Sequence, residues 1–517
     1  MLFHFIESVR RQIFKMRSDK TRQPPKTLKG ILRNIGPGMI LAGSIVGSGE
    51  LIATTRTGAE AQFDFLWLII LGCVIKVFAQ IELGRHAITN GKTSLAAVNE
   101  IPGPRFRFRF GKRNFEANWF LLFWFVMFLA VLAQQGGIVG GVGQALAISI
   151  PITEEGAERN HFVSTNISLE IAKEEGNQEQ VLRLEKELQQ IGNPPKANDD
   201  IYWALLITLF TIFLLLNGKF SLIEKFSIML VASFTLITIV NLCALQSYEA
   251  WAVKPEELMR GLSFSFPEIK DGNNPLITAI ATFGIIGVGA AELLAYPYWC
   301  IEKGYGQYVG SKEDGDEWVK RAKGWIHVMH WDSWGAMVVY TFCTIAFYLL
   351  GAAILGRTGL LPEGSDMIQT LSTMYEPVFG SSARVIFLAG AIAVLFSTFF
   401  IAIAAQCRLC IDFIKVTGLA SLSPNQKKLA LTVFGIVLPI ICVSCYVYFP
   451  KPVILILISG TMQAILLPLI GFAVLYFRYK KSDPRLTPSK IWDLCLWVSF
   501  LGFVIIGLYQ VYAKLFS

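Results

Sequence analysis

Two glutamates sit inside long apolar runs, where carboxylates are costly. Glu50 follows Gly47-Ser48-Gly49 and precedes Leu51-Ile52-Ala53, while Glu292 follows Gly287-Val288-Gly289-Ala290-Ala291 and precedes Leu293-Leu294-Ala295. An ionised carboxylate at bilayer depth costs at least ~2.5 kcal/mol on insertion scales. Glycine weakens a helix by roughly 1 kcal/mol relative to alanine. Both costs recur at matching positions, and this predicts two interrupted membrane helices whose acids meet in a wet pocket. Irregular backbone at that depth is tolerated only where it is buried in protein or lines a cavity. Two carboxylates can neutralise one dication, and oxygen donors suit Mg²⁺, Ca²⁺ or Mn²⁺. Glu50 and Glu292 are therefore the candidate metal-binding residues. Gly47, Gly49, Gly289 and Ala290 are the candidate backbone of the same substrate site. Each glutamate also follows its break directly, where it would cap the second half-helix, and glycines in membrane helices also serve close packing. Both readings remain open at the level of sequence.

Three more polar residues lie at depth. Lys76 needs a partner inside the membrane. Paired with Glu50 or Glu292, it would make the pocket less negative and poorer for a dication. Glu82, six residues further on, points well around the helix and is expected to meet Arg85 or His86. Gln134 and Gln463 either line a pathway or bond across helices.

The elements that position these residues are membrane spans. The 517 residues are 53% hydrophobic and 16% charged, well below the quarter or so charged in soluble domains, and mean hydropathy is +0.51. Apolar runs predict eleven spans, at 34–58, 64–84, 118–150, 201–217, 222–247, 276–300, 334–355, 383–406, 428–449, 453–478 and 490–512. Residues 1–33 form a basic segment with Arg10, Arg11, Lys15, Arg17 and Lys20 among its charges. Further basic connections follow spans two, eight and ten, so the positive-inside rule sets the N-terminus in the cytoplasm and, with an odd span count, the C-terminus outside. The expected location is a plasma (bacterial inner) membrane. The insert at 152–199 is acidic and extracytoplasmic, with the pattern of a surface amphipathic helix or helical hairpin. The transporter domain is then 34–512. Its first repeat covers about 34–247 and its second about 276–478 in a five-plus-five inverted arrangement, with 490–512 appended.

Other chemistries fit less well. The pairs Cys407/Cys410 and Cys442/Cys445 have CxxC spacing, but the topology sets them a membrane apart, so they read as packing residues. Gly136-Gly137-Ile138-Val139-Gly140-Gly141-Val142-Gly143 lies in an apolar span without a preceding strand, which excludes a dinucleotide loop and points to helix packing. No nucleophile–base constellation emerges, so the chain is not read as an enzyme. The expected partners are membrane lipid and a metal ion or small solute; neither nucleic acid nor a permanently bound cofactor is expected.

At these residues the chain resembles the Nramp family of divalent-metal transporters, over about 35–478 and excluding the acidic insert. The landmarks are Gly36-Pro37-Gly38 opening span one, Gly58 past its end, Phe65-Leu66-Trp67 opening span two, Arg85 and Gly91-Lys92 closing it, Gln406 in span eight and Pro468 in span ten. The resemblance implies an all-α LeuT-like fold of eleven or twelve helices, broken in spans one and six and working by alternating access. It also marks departures. The family's Asp-Pro-Gly-Asn run is here Gly47-Ser48-Gly49-Glu50, and its Met-Pro-His run is Ala290-Ala291-Glu292. Its acidic pair in span three aligns with Gln134 and Gly137, and Lys76 replaces a usually apolar residue. Losing the thioether shifts preference toward hard cations, and losing the acidic pair removes the usual proton pathway. The expectation is a transporter of a Mg²⁺-, Mn²⁺- or Fe²⁺-type dication. A small organic solute such as an amino acid or amine is the alternative, and a membrane receptor or sensor the third reading.

Overall fold

Span one starts where Pro37 occupies the first helical turn after Gly36, a position that loses nothing by lacking an N–H. The computed structural model describes residues 21–110, 113–174, 176–193, 196–217, 220–268 and 274–516. Of the basic N-terminal segment, Arg10, Arg11, Lys15, Arg17 and Lys20 lie outside the described residues. Ten helices among the described residues are long and apolar enough to cross a membrane: Pro37–Ala61, Leu66–Asn90, Trp119–Ser149, Asp199–Leu216, Pro275–Lys303, Asp316–Leu355, Gly364–Val416, Pro424–Tyr448, Pro452–Lys481 and Lys490–Ala513. The helix Phe220–Leu245, with its apolar stretch Met229–Leu245, supplies the remaining one of the eleven spans. Span seven begins at Asp316 rather than near 334, because its polar first half continues the same helix beyond the apolar run.

Spans differ in what they face. In span one 94% of the apolar window is buried, against 22% in spans four and eleven. Span one is thus enclosed by the others, while Leu209, Phe213, Ile505 and Leu508 of the outer spans are exposed, as expected of surfaces that meet lipid. Spans six and ten approach closely: a Cβ on Gly284 would lie 2.1 Å from the Gly460 carbonyl oxygen, and one on Gly460 would lie 2.3 Å from that of Ala281. Glycine is required there to bring the two backbones together. Cys407, Cys410 and Cys442 are buried and free. No group of three or more His, Cys, Asp or Glu able to hold a metal occurs among the described residues.

Two features lie outside the bundle. The connection after span two folds into an antiparallel hairpin, Arg105–Phe110 with Arg113–Asn118. Its Arg-Phe-Arg-Phe-Arg-Phe alternation has the period of a strand, which reading this stretch as a basic loop overlooked. Phe115 packs against Phe413 of span eight. The acidic insert forms two helices, Glu154–Glu174 and Gln178–Ile191. It is fastened at its base by Asp199, which accepts from the Ile152 and Thr153 amides at 2.6 and 3.0 Å. Arg159 bonds Asp366 at 3.0 Å, and Gln369 donates to the Asn160 carbonyl at 3.0 Å. These contacts tie the insert to the short helical turns that precede Ala383–Val416, where Met367 to Tyr375 are buried.

Candidate functional site

Span six is broken at the sequence's paired glycines. Its first half ends at Ile285 and its second begins at Ala290. Gly287, at φ +57°, adopts the left-handed conformation that glycine reaches without strain. The break leaves carbonyls at the end of one half-helix and N–H groups at the start of the other without intrahelical partners. Side chains from other spans satisfy them. Lys76 of span two donates to the carbonyls of Phe283 and Ile286, the latter at 2.8 Å. The Gln463 side-chain oxygen of span ten accepts from the Ala291 amide at 3.0 Å.

Span one meets this break differently. Its interruption is a nine-residue π-helical segment, Val46–Thr54, continuous with α-helix on both sides. The Gly49 carbonyl accepts from the Thr54 hydroxyl at 2.8 Å. Gly47 and Gly49 serve close approach: a Cβ on Gly47 would lie 2.4 Å from Thr398 Oγ1, and one on Gly49 would lie 3.1 Å from the Ile285 carbonyl oxygen. The wide turn carries Glu50 to the break. Its Oε1 accepts from the Gly287 amide at 3.1 Å and lies 3.1 Å from the Thr344 hydroxyl of span seven. Glu50 is fully buried, and its Oε2 has no partner among the described residues.

Lys76 and Glu50 therefore hold the two ends of one peptide group, the carbonyl of Ile286 and the amide of Gly287. Glu292 lies in the first turn of the second half-helix, and its buried Oε2 also lacks a partner among the described residues. A Cβ added to Gly289 would lie 2.5 Å from that oxygen and 2.8 Å from Gln463 Oε1. Gln134 of span three donates to Ser48 at 3.0 Å and accepts from Ser459 at 2.8 Å and Gln463 at 2.9 Å. One network thus joins spans one, three, ten and six. Glu82, as its position implied, accepts from Arg85 at 3.2 Å.

The structure gathers Gly49, Glu50, Lys76, Gln134, Gly289, Ala290, Glu292 and Gln463 around the break, while Gly47 packs against span eight. Glu50 faces spans two and seven, and Glu292 faces span ten. Sequence reasoning missed Thr344, Cys73 and Tyr340. Thr344 touches Glu50, Cys73 Sγ lies 3.7 Å from Thr344 Oγ1, and Tyr340 Oη is buried without a partner among the described residues. Thr344 follows Tyr340 by one turn on span seven, but nothing in their apolar surroundings marks that face as the one turned inward.

A bundle with a broken sixth span, polar groups converging on the break and lipid-facing outer helices defines a membrane transporter of the LeuT-like class. The family model for Natural resistance-associated macrophage protein-like (Nramp) proteins matches residues 197–513, and the chain belongs to this family. Solved structures share the fold. The Eremococcus coleocola manganese transporter in complex with an aromatic bis-isothiourea substituted compound has TM-score 0.59 and 15% identity, covering 96% of this chain and 90% of that one. A single-residue mutant of the same transporter has TM-score 0.59 and 14% identity, with 95% and 88% covered. MhsT in complex with L-phenylalanine has TM-score 0.53 and 16% identity, with 95% and 100% covered. No curated protein matches the chain.

Proposed function

We propose that the chain carries a hard divalent metal cation across the membrane by alternating access, with Glu50 and Glu292 as its charged ligands. The observation that carries this reading is the pair of buried carboxylate oxygens, Glu50 Oε2 and Glu292 Oε2, left without partners among the described residues beside the break. Burying a carboxylate oxygen unpaired is costly, and a bound cation removes that cost. Membership of the Nramp family and the fold shared with a manganese transporter support metal as the cargo. The oxygen atoms of Glu50, Glu292 and Gln463 favour Mg²⁺ or Mn²⁺ over softer ions, with the Cys73 thiol one contact behind Thr344.

Gln134 supports transport without the usual proton pathway. A carboxamide does not exchange a proton near neutral pH, and both its ends are engaged by neighbours. The basic connections support a cytoplasmic N-terminus and an acidic insert outside. Lys76 favours a second reading: it supplies a positive charge beside the pocket and occupies carbonyls that a metal would otherwise use, which suits a small zwitterionic solute.

Proteoliposome uptake of Mg²⁺ and Mn²⁺, run alongside an amino-acid panel with luminal pH recorded, decides between them. Saturable divalent uptake without luminal acidification is expected. Uptake of an amino acid, with divalent flux no greater than in empty liposomes, would overturn the metal reading.

A further inference from the structure

The first half of span six ends in carbonyls at the negative pole of a helix dipole, where a cation is favoured. At that point the described structure holds a side-chain amine of the chain itself. Lys76 is fully buried and donates to the carbonyls of Phe283 and Ile286. Its ammonium lies 4.7 Å from the centroid of the Phe283 ring, within cation–π reach. Two carbonyl oxygens and an aromatic face form a cage for a single positive charge, and the partly unwound half-helices of such transporters offer carbonyls of this kind to monovalent ions. The peptide following the cage is fixed from its other end by Glu50, so the cage cannot relax away from its occupant without disturbing the acid.

We infer that the Lys76 ammonium is a tethered ion, filling a monovalent-cation site built from the break of span six and closing it to free alkali ions. The same occupancy denies those carbonyls to any substrate, so a dication would be held by side chains; this last clause alone rests on the metal reading above. A salt bridge to one glutamate would leave the carbonyls open. Lys76 instead addresses the backbone, so its removal opens a cage as well as changing the charge.

The test is the melting temperature of the purified chain in NaCl, KCl or choline chloride at constant ionic strength. The wild type is expected to melt at the same temperature in all three. Lys76→Met, which keeps most of the side chain's volume, is expected to gain a saturable, alkali-specific stabilisation of ~2 °C or more. Lys76→Ala is expected to recover stability with methylammonium or ethylammonium, which fit the vacated space. Alkali-specific stabilisation of the wild type would overturn the inference and needs no variant. So would folded Lys76→Met and Lys76→Ala proteins that respond to neither alkali ions nor small amines. These readouts do not involve divalent transport, so a failure of the Glu50–Glu292 site leaves them unaffected.

Discussion

Glu50→Gln separates charge from architecture at the pocket. The substitution is nearly isosteric, and its side-chain oxygen can still accept from the Gly287 amide and the Thr344 hydroxyl, both at 3.1 Å in the native chain. What disappears is one negative charge at an oxygen that has no partner among the described residues. With Lys76 protonated and both glutamates ionised the pocket carries net charge −1; the variant's pocket is neutral. One unit charge facing a dication at 4 Å is worth about 8 kcal/mol gross at an effective dielectric constant of 20. Dehydration of both ions takes back most of that. A net loss of about 3 kcal/mol, or ~100-fold in affinity, is the expected remainder. Initial rates of Mn²⁺ and Mg²⁺ entry into proteoliposomes below saturation read this directly, and the melting temperature should stay within ~2 °C of wild type because the hydrogen bonds persist. Entry rates within about threefold of wild type, in a variant that melts normally, would refute the assignment of Glu50 as a ligand, since a charge worth ~1.4 kcal/mol already changes affinity tenfold.

Three other outcomes are expected. Gly284→Ala drives a methyl toward the Gly460 carbonyl oxygen, 2.1 Å from the added Cβ. Overpacking of this kind costs ~1–3 kcal/mol and should lower the melting temperature, whereas Gly335→Ala, with nothing within 4 Å, should not. Asp332 of span seven accepts from the Gly36 and Gly38 amides at 2.8 and 2.6 Å. Asp332→Ala strands both and costs ~0.5–2 kcal/mol as a lost cap. It should raise maleimide labelling of Cys300 from the N-terminal side in a chain lacking its other cysteines; unchanged labelling would show that these two hydrogen bonds do not restrict access there. The Arg485 guanidinium, with Lys312 beside it, holds the Asp483 carboxyl well below the usual carboxylate range. A depressed folded-state pKa contributes stability that is present above the unfolded pKa and lost as pH falls through the folded one. Asp483→Asn should therefore lower the melting temperature at pH 7, with a deficit that closes only below about pH 4; a deficit unchanged at pH 3 would contradict this pairing.

The reach of the sequence follows from where each signal is written. Eleven spans were legible because apolar length is a local property. The break in span six was legible because Gly287 needs a left-handed backbone that other residues avoid. The same logic applied to span one foresaw a broken helix, and the structure has a π-helical turn there. Gly47 and Gly49 are dictated by contact with Thr398 and Ile285, and a glycine needed for contact looks the same in sequence as one needed for a turn. The partners of Lys76 were hidden for a related reason. They are backbone carbonyls more than two hundred positions away, and a carbonyl has no residue type to give it away. Gln134 and Gln463 were visible as polar residues at depth, but only the folded chain shows them bonded to each other.

The fastening of the acidic insert reaches beyond the insert itself. Arg159 and Asn160 connect its first helix to Asp366 and Gln369, on the short helical turns that lead into Ala383–Val416. The insert is thereby coupled to packing among the spans. An antibody fragment gripping the insert rigidly would hold those turns still, arresting the transport cycle from a surface that no substrate needs to touch.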